Sequence, residues 1–246
     1  HLTPGIQVIG LSATIGNADE IANWLDAALI ESTWRPITLR TGVYYDNSIT
    51  FDDGTKHNIP PQSSPLEDIV QDVVKEDGSA LVFVSSRRNA EAASRRLSNV
   101  TEKFTASSRS ELLNLSNKII DGGETELCRT LATSIEKGAA FHHAGLINEH
   151  RKIVEDSFRK RDIKVVCATP TLAAGVNTPS RRVIVRDWRR YNALRGGMEP
   201  LSVIEIHQMF GRAGRPSLDP YGEALLLASS SDEFNELFDR YIGADP

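Results

Sequence analysis

The sequence contains few cysteines and no long apolar run. Only Cys128 and Cys167 occur in 246 residues, and neither belongs to a Cys-x-x-Cys pair, which argues against a zinc site or a disulfide framework. No stretch approaches the roughly 18 apolar residues of a spanning helix, and the first residues lack a signal-peptide pattern. With 40% hydrophobic and 25% charged residues, a mainly disordered chain is excluded. We expect a soluble, reduced, intracellular protein without a membrane partner.

Two motifs of nucleotide sites are also absent. A phosphate-binding loop of the form Gly-x-x-x-x-Gly-Lys-[Ser/Thr] needs a Gly-Lys dipeptide, and the sequence contains none. An Asp-Glu-x-His box is missing as well, because the pairs that begin at Asp19 and Asp232 continue with Ala22 and Asn235 in the fourth position. The chain alone should therefore bind nucleotide weakly and hydrolyse none.

Positive charge is concentrated in one segment. The whole chain carries a net charge of −5, which by itself argues against a nucleic-acid partner. Residues 181–215, however, hold eight arginines against three carboxylates, a local charge of +5. This segment is a candidate surface for phosphate groups.

Apolar strands alternate with amphipathic helices from residue 64 onward. Because continuous apolar strands imply a sheet covered on both faces, the pattern predicts an α/β domain with a parallel sheet and helices on both sides. Ligands of such sheets gather at the carboxyl ends of the strands. The predicted strands are 80–84, 139–142, 163–168, 182–185 and 224–227, and the predicted helices begin at 64, 89, 106, 148, 202 and 230, with a break at Gly122-Gly123.

The first 63 residues follow a different pattern. A strand at 7–11 precedes a helix that Asn17 can cap, with Glu20 three residues later. Alternating Thr, Tyr and Ile residues around Asp53-Gly54 then predict a β-hairpin. We interpret that stretch as a connector between domains.

The segment Gln208–Pro216 has the most specific spacing in the chain. Arg212 and Arg215 lie three residues apart, each after a glycine, at a predicted helix end. Two such arginines can lie side by side and grip phosphate oxygens with their planar, permanently charged forks. The alternative is a helix C-cap with exposed arginines, which explains one glycine but not the spacing.

The segment Cys167–Pro179 follows a predicted strand directly. Threonine hydroxyls and a short helix N-terminus at a strand end suit phosphate binding. An ordinary turn with an N-cap explains the same residues, and taken alone it is the simpler explanation.

Together with three further segments, these residues resemble the superfamily 2 helicases, in particular their Ski-like branch and its archaeal Hjm-type DNA repair helicases. The order and spacing match from about residue 7 to the end. The similar segments are 11–14 (motif III), 81–88 (motif IV), 141–146 (a branch-specific motif), 168–179 (motif V) and 208–215 (motif VI).

The resemblance implies two RecA-like motor domains, of which this chain holds one and part of the other. Residues 1–34 would be the last strand and helix of motor domain 1, and 35–63 the connector. Residues 64–240 would be motor domain 2, the helicase C-terminal domain, and 241–246 the start of a linker to a winged-helix domain. The missing phosphate-binding loop would lie upstream.

The resemblance also implies ATP and Mg²⁺ as cofactors, held in the cleft between the motor domains. Arg212 and Arg215 would be arginine fingers, with Gln208 beside them and with Gly175 and Asn177 near the nucleotide. Such fingers stabilise charge that develops only in the transition state. This interpretation requires both guanidinium groups to face a surface where the other motor domain can close.

Single-stranded and forked DNA are the implied substrates. Phosphate contacts give grip without reading sequence. The residues expected to touch the sugar-phosphate backbone are Ser85, Arg87, His143, Gly145, Thr169 and Thr171, and those expected to couple this track to the ATP cleft are Ser12 and Thr14. For His142-His143 the alternative is a buried pair that supports the strand end, and a metal site with His150 is rejected because no further ligand supports it.

Residues 186–199 would form the hairpin that Hjm-type helicases place at the duplex junction. Gly196-Gly197 would make its turn, Arg190 would hold the backbone, and Trp188 or Tyr191 would stack on the last base pair. The alternative is a solvated basic loop with one aromatic ring packed back on the domain. We expect Tyr191 to be the wedge and leave both possibilities open for Trp188.

The function that follows is the second motor domain of an ATP-dependent DNA helicase of 3′-to-5′ polarity, in DNA repair or at stalled forks. Two alternatives remain, a Ski-like RNA helicase and a stand-alone binding module that never turns over ATP. The expected location is cytoplasmic, at the nucleoid in an archaeon, or nuclear in a eukaryote.

Overall fold

An eight-stranded sheet forms the centre of the molecule. The computed structural model describes residues 9–11, 17–32, 34–170, 178–193 and 195–243. The strands are β1 Leu39–Tyr45, β2 Ser48–Phe51, β3 Lys56–Asn58, β4 Ala80–Phe83, β5 Ala139–His142, β6 Val165–Ala168, β7 Arg182–Val185, β8 Arg189–Asn192, β9 Gly197–Pro200 and β10 Gly222–Leu227. The helices are α1 Ala18–Leu25, α2 Pro65–Val74, α3 Arg87–Thr101, α4 Arg109–Asp121, α5 Glu126–Glu136, α6 Asn148–Arg159, α7 Val203–Phe210 and α8 Ser231–Leu237, followed by a π-helical turn at Phe238–Ile242.

The strand order in the sheet is β3-β2-β1-β10-β7-β4-β6-β5, while β8 and β9 form a separate hairpin. The six strands from β1 to β5 in that order run parallel, and β2 and β3 are antiparallel additions at one edge. Every residue of β4, β5, β6 and β7 is buried, as expected for strands that helices cover on both faces. The predicted α/β fold is confirmed.

Local sequence signals account for the helix ends. Pro65 occupies the first turn of α2, where its missing N–H costs nothing, and Glu67 accepts hydrogen bonds from the backbone N–H and the hydroxyl of Ser64. Likewise, the Thr125 hydroxyl accepts from the backbone N–H of Cys128 at the start of α5. The glycine pair after Asp121 separates α4 from α5, where a break was predicted.

The interpretation of residues 35–63 as a connector is incomplete. The predicted hairpin exists, as β2 and β3 around Gly54, which has a positive φ of 77°. The preceding strand β1, however, pairs in parallel with β10 over six residues, from Leu39 to Tyr44. Because of these backbone hydrogen bonds, the stretch belongs to the same sheet as the residues that follow it.

The N-terminal part exposes apolar side chains. Helix α1 begins after Asn17, whose side chain bonds Glu20 and makes no capping bond to the backbone. Among the residues that the structure describes, large exposed hydrophobic side chains are frequent here: Ile9, Leu11, Trp24, Leu25, Leu29, Ile30 and Trp34. Most of the predicted strand at 7–11, and both Ser12 and Thr14, lie outside the described residues. Within the described ranges, no helix combines the length and apolarity needed to cross a membrane.

Candidate nucleotide and nucleic-acid site

The loop after α7 is held tightly against the sheet. The backbone N–H of Ser180 donates to the Arg212 carbonyl at 2.9 Å, and that of Gly214 donates to the Ser180 carbonyl at 2.6 Å. Gly214 has a φ of 90°, and a Cβ there would lie 2.8 Å from Ile37 Cγ2. Only glycine fits this position without strain, so the loop and its arginines have a defined place.

Two predicted nucleotide contacts lie at the C-terminal end of α7. Gln208 is exposed on the last turn of the helix, and Arg212 follows it, partly buried. Burial lowers the pKa of Arg212 from its ordinary value, although a guanidinium group stays charged at neutral pH. An amide and a cation therefore lie near one helix end, and both groups can donate hydrogen bonds to phosphate oxygens.

Arg215 does not lie beside Arg212 at the surface, so the prediction of two exposed arginines is wrong for this residue. Its Nε and Nη2 each lie 2.8 Å from an oxygen of Asp219, and the two side chains are 3% and 2% exposed. A buried guanidinium needs a carboxylate partner, and the residue four positions later supplies it. Before Arg215 could contact a phosphate, this ion pair would have to open.

Ser85 is also engaged internally. Its hydroxyl donates to Asp187 at 2.9 Å and accepts from the Asn89 side chain at 3.1 Å, while its backbone N–H donates to Asp187 at 2.8 Å. Burial by itself would raise the pKa of Asp187, but the hydrogen bonds from Arg186 and Ser85 outweigh it and lower that pKa. The Ser85 hydroxyl thus joins the end of β4 to the end of β7, and its expected contact with DNA stays a prediction.

His143 supports the strand end rather than facing solvent. Its Nδ1 accepts from the backbone N–H of Gly145 at 3.1 Å, so the proton of the neutral ring is on Nε2, which lies 3.2 Å from Glu91 Oε1. The ring stacks on Phe141 and is buried. Burial lowers the pKa of His143. The expected DNA contact of this side chain is therefore corrected to the alternative of a supporting residue.

Arg87 is the predicted backbone contact that does reach the surface. It begins α3 and is exposed. A Cβ added at Gly145 would lie 3.6 Å from Arg87 Nη1, so the structure brings these two predicted residues together. Thr169 lies at the end of β6, and its backbone N–H donates to the His142 carbonyl at 3.4 Å. Thr171, Gly175 and Asn177 fall outside the described residues.

The segment between motifs V and VI forms the predicted hairpin. Strands β8 and β9 pair with Tyr191 opposite Met198 and Asn192 opposite Gly197, and Gly196 has a φ of 65° in the turn. Tyr191 is 66% exposed and Met198 is 58% exposed. The tip of the hairpin therefore presents an aromatic ring and a thioether to solvent. Two arginines flank them in ion pairs, Arg190 with Glu205 and Arg195 with Glu199.

Trp188 takes the alternative role, an aromatic ring packed on the domain. It is 3% exposed, and its Nε1 donates to Glu233 Oε1 at 2.7 Å. The Arg189 guanidinium lies 3.9 Å from the centre of its ring. Because this indole is covered and its only donor is satisfied, Trp188 is not available to stack on a base pair.

Histidines 142 and 150 are also buried and have partners within the fold. His142 Nε2 lies 2.8 Å from Glu155 Oε1, and His150 Nδ1 lies 3.9 Å from Cys128 Sγ. Within the ranges that the structure describes, no three His, Cys, Asp or Glu side chains lie together as a metal site. We assign no Mg²⁺ ligand to these residues.

Sequence reasoning missed three carboxylates. Asp187, Asp219 and Glu233 hold Ser85, Arg215 and Trp188, respectively. Asp219 lies four residues after Arg215 in a turn outside any helix, where the pairing rule for helical residues gives no signal. For the other two, the partners are 102 and 45 residues away, and no local pattern indicates such pairs.

Comparisons with known proteins identify relatives of this chain. The family model "Helicase conserved C-terminal domain" matches residues 112–217. The chain is 46% identical over 244 residues to the ATP-dependent DNA helicase Hel308 of Methanocella arvoryzae, covering 98% of this chain and 33% of that protein. Identity is 45% over 241 residues to Hel308 of Methanococcus vannielii, covering 94% of this chain and 32% of the relative. For Hel308 of Pyrococcus horikoshii it is also 45% over 241 residues, with 98% and 32% covered. The chain thus spans about a third of the length of these relatives.

Proposed function

We propose that this chain, a relative of the Hel308 helicases of superfamily 2, supplies the second motor domain of an ATP-dependent DNA helicase of 3′-to-5′ polarity. In this proposal the remaining polypeptide of the full-length protein provides the first motor domain and further domains. The substrate is single-stranded and forked DNA in repair or at stalled forks. Since that substrate is chromosomal, we expect the enzyme to act at the nucleoid.

The loop after α7 carries the proposal. Its backbone is fixed to Ser180 and by the Arg215–Asp219 ion pair, and Arg212 and Gln208 lie at the end of one helix. Within our proposal Arg212 is the arginine finger, Gln208 contacts the nucleotide, and Arg215 holds the loop in place. A guanidinium carried on a fixed loop needs little backbone rearrangement when charge develops on the phosphate, and an arginine finger contributes about 10³ to 10⁵ in turnover.

The chemistry of this helix end fits the triphosphate of ATP. A cation and a neutral amide suit phosphate oxygens, and hydrolysis of that group supplies the free energy for movement. Gly175 and Asn177 remain proposed nucleotide contacts. The Mg²⁺ ligands are proposed to come mainly from the first motor domain, as the resemblance implies.

The DNA track is proposed to pass Arg87, Gly145, Thr169 and Thr171 and to end at the hairpin. Arg87 is exposed and a guanidinium suits a phosphate. At the hairpin, Tyr191 would stack on the last base pair, and stacking is worth about 1–3 kcal/mol per base, similar to the cost of opening one base-pair step. Ser12 and Thr14 are proposed to couple this track to ATP.

The decisive experiment measures ATP hydrolysis by the full-length protein with single-stranded DNA, with RNA and without a polymer. Stimulation by DNA, together with unwinding of a forked duplex that has a 3′ tail, is the expected result. Stimulation by RNA alone would replace the proposal with an RNA helicase. If no polymer stimulates hydrolysis although nucleic acid binds, the chain is a binding module and the motor proposal is wrong.

A further inference from the structure

The hairpin and the helix of the nucleotide site are neighbours in the chain. Strand β9 ends at Pro200, and α7 begins at Val203, with Ser202 as its N-cap residue. Within the proposed function, the hairpin parts the strands and the far end of α7 faces ATP. Only Leu201 and Ser202 join the two elements, so their relative orientation depends on the contacts made at this junction.

The root of the hairpin is closed by buried groups. The backbone N–H of Leu201 donates to the Trp188 carbonyl at 2.9 Å, which joins the residue after β9 to the residue before β8. The Trp188 ring meets the Tyr241 ring edge to face, with 6.2 Å between the ring centres. Both rings are almost fully buried. Tyr241 therefore packs directly on the root of the hairpin.

Tyr241 also forms two hydrogen bonds along α7, one to the residue before the N-cap and one to the last turn. Its hydroxyl donates to the Leu201 carbonyl at 2.7 Å, just before α7 begins. Its own carbonyl lies 3.1 Å from His207 Nε2, on the last turn of α7. Since a carbonyl can only accept, the Nε2 of His207 carries the proton and donates it. One residue, 1% exposed, thus spans α7 from its start to the turn that holds Gln208.

We propose that Tyr241 is a positioning residue that makes the hairpin and α7 one rigid unit. A displacement of Gln208 and Arg212 when the ATP cleft closes or opens would then move the hairpin and Tyr191 with it. This inference rests on the proposed function. It adds a residue that touches neither nucleotide nor DNA and sets how efficiently hydrolysis is converted into strand separation.

The variant that tests it is Tyr241→Phe in the full-length protein. The change keeps the ring against Trp188 and removes the hydroxyl bonded to Leu201. We expect the number of base pairs unwound per ATP to fall about tenfold, because the junction loses its buried hydrogen bond. The DNA-stimulated kcat for ATP and the KM values for ATP and single-stranded DNA should stay within about twofold.

Tyr44→Phe is the matched control. Tyr44 is buried, and its hydroxyl has no hydrogen-bond partner among the residues that the structure describes. Both variants remove one buried hydroxyl, but only Tyr241→Phe breaks a bond at the hairpin root. The control should unwind DNA like the wild type, and thermal melts of both variants report whether the fold is intact.

A second variant, His207→Leu, breaks the other contact of Tyr241. If the Leu201 and His207 contacts of Tyr241 act together, the double variant should unwind no fewer base pairs per ATP than the poorer single variant. Unchanged unwinding per ATP in Tyr241→Phe would overturn the inference. A parallel loss of hydrolysis and unwinding would also overturn it, since Tyr241 would then support the ATP site alone. Wild-type protein that fails to unwind would instead refute the proposed function.

Discussion

Arg215 and Asp219 form a buried, bidentate ion pair three residues after Arg212, the proposed nucleotide contact. Both nitrogen–oxygen distances are 2.8 Å, and the backbone N–H of Arg215 also donates to the same carboxylate at 2.9 Å. The pair closes the loop that carries Arg212. A residue that a sequence motif marks for phosphate therefore serves the loop's structure here.

Replacing Asp219 with asparagine should destabilise the protein strongly. The change leaves the Arg215 guanidinium buried without a counter-charge, and breaking such a pair costs about 3–5 kcal/mol. The free energy of unfolding, from urea titration, measures the effect. Glu199→Gln is the matched control, because Arg195–Glu199 is also an Arg-to-acid pair four residues apart but Arg195 is 78% exposed. This control should lower the free energy of unfolding by less than about 1 kcal/mol. Equal losses of that free energy in the two variants would contradict the strong contribution that we expect from the buried pair.

Arg212→Ala should abolish most ATP hydrolysis by the full-length enzyme without unfolding it. We expect kcat to fall about 10³-fold or more, since a finger stabilises charge that develops only in the transition state. Arg212→Lys should rescue little, because an ammonium group lacks the planar fork. Arg159→Ala, at an exposed ion pair on α6, is the control. Hydrolysis within about twofold of the wild type in Arg212→Ala would rule out the finger.

Tyr191→Ala should impair strand separation while hydrolysis continues. The exposed ring is the proposed stacking surface, and its loss should lower unwinding of a forked duplex about tenfold. The measurement is base pairs unwound per ATP hydrolysed. Leu113→Ala removes an exposed apolar side chain from α4 instead and should have no effect. Should Tyr191→Ala unwind normally, the hairpin tip is not the wedge.

The stability of the protein should decline on mild acidification, partly because of His143. Burial holds the pKa of this histidine below its ordinary value of 6.5. The unfolded chain therefore takes up a proton first as the pH falls, so stability is complete above about 6.5, decreases below it, and levels off once the native ring is protonated. His143→Gln should flatten the slope of the unfolding free energy between about pH 7 and pH 5.

Nearby charged groups have opposite effects on the pKa of His143. The Glu91 carboxylate favours the protonated form, and Arg87 and His142 disfavour it. A control variant, His57→Gln, removes a half-exposed histidine that bonds Asp72. If His143→Gln keeps the full wild-type slope, the titration of His143 does not govern this pH dependence.

Secondary structure was largely predictable because its signals are local. Strand β7 was predicted at residues 182–185, and Arg182–Val185 is the strand observed. The Ser64-Pro65 start of α2 follows from the cap and the fixed φ of proline, which act within one turn. In contrast, the pairing of β1 with β10 joins residues more than 180 positions apart, and no local pattern indicates it.

The candidate site was predictable in part. Arg87 and Tyr191 reach the surface as expected, whereas His143 and Trp188 are buried and the hydroxyl of the partly exposed Ser85 bonds Asp187. A motif specifies residue types and their order. It does not specify which of its polar groups are satisfied inside the domain, because their partners come from other strands and helices.

By itself, the amino-acid sequence determined the likeness to superfamily 2 helicases, the α/β alternation and the places where helices begin and end, since these depend on composition and on spacings of a few residues. Tertiary structure alone decided which of two neighbouring arginines is fully buried and which of two aromatic rings faces solvent. The physical reason is that burial of a charge or a polar ring is tolerated only where the fold brings a partner to it, such as Glu233, 45 residues away, for the indole of Trp188.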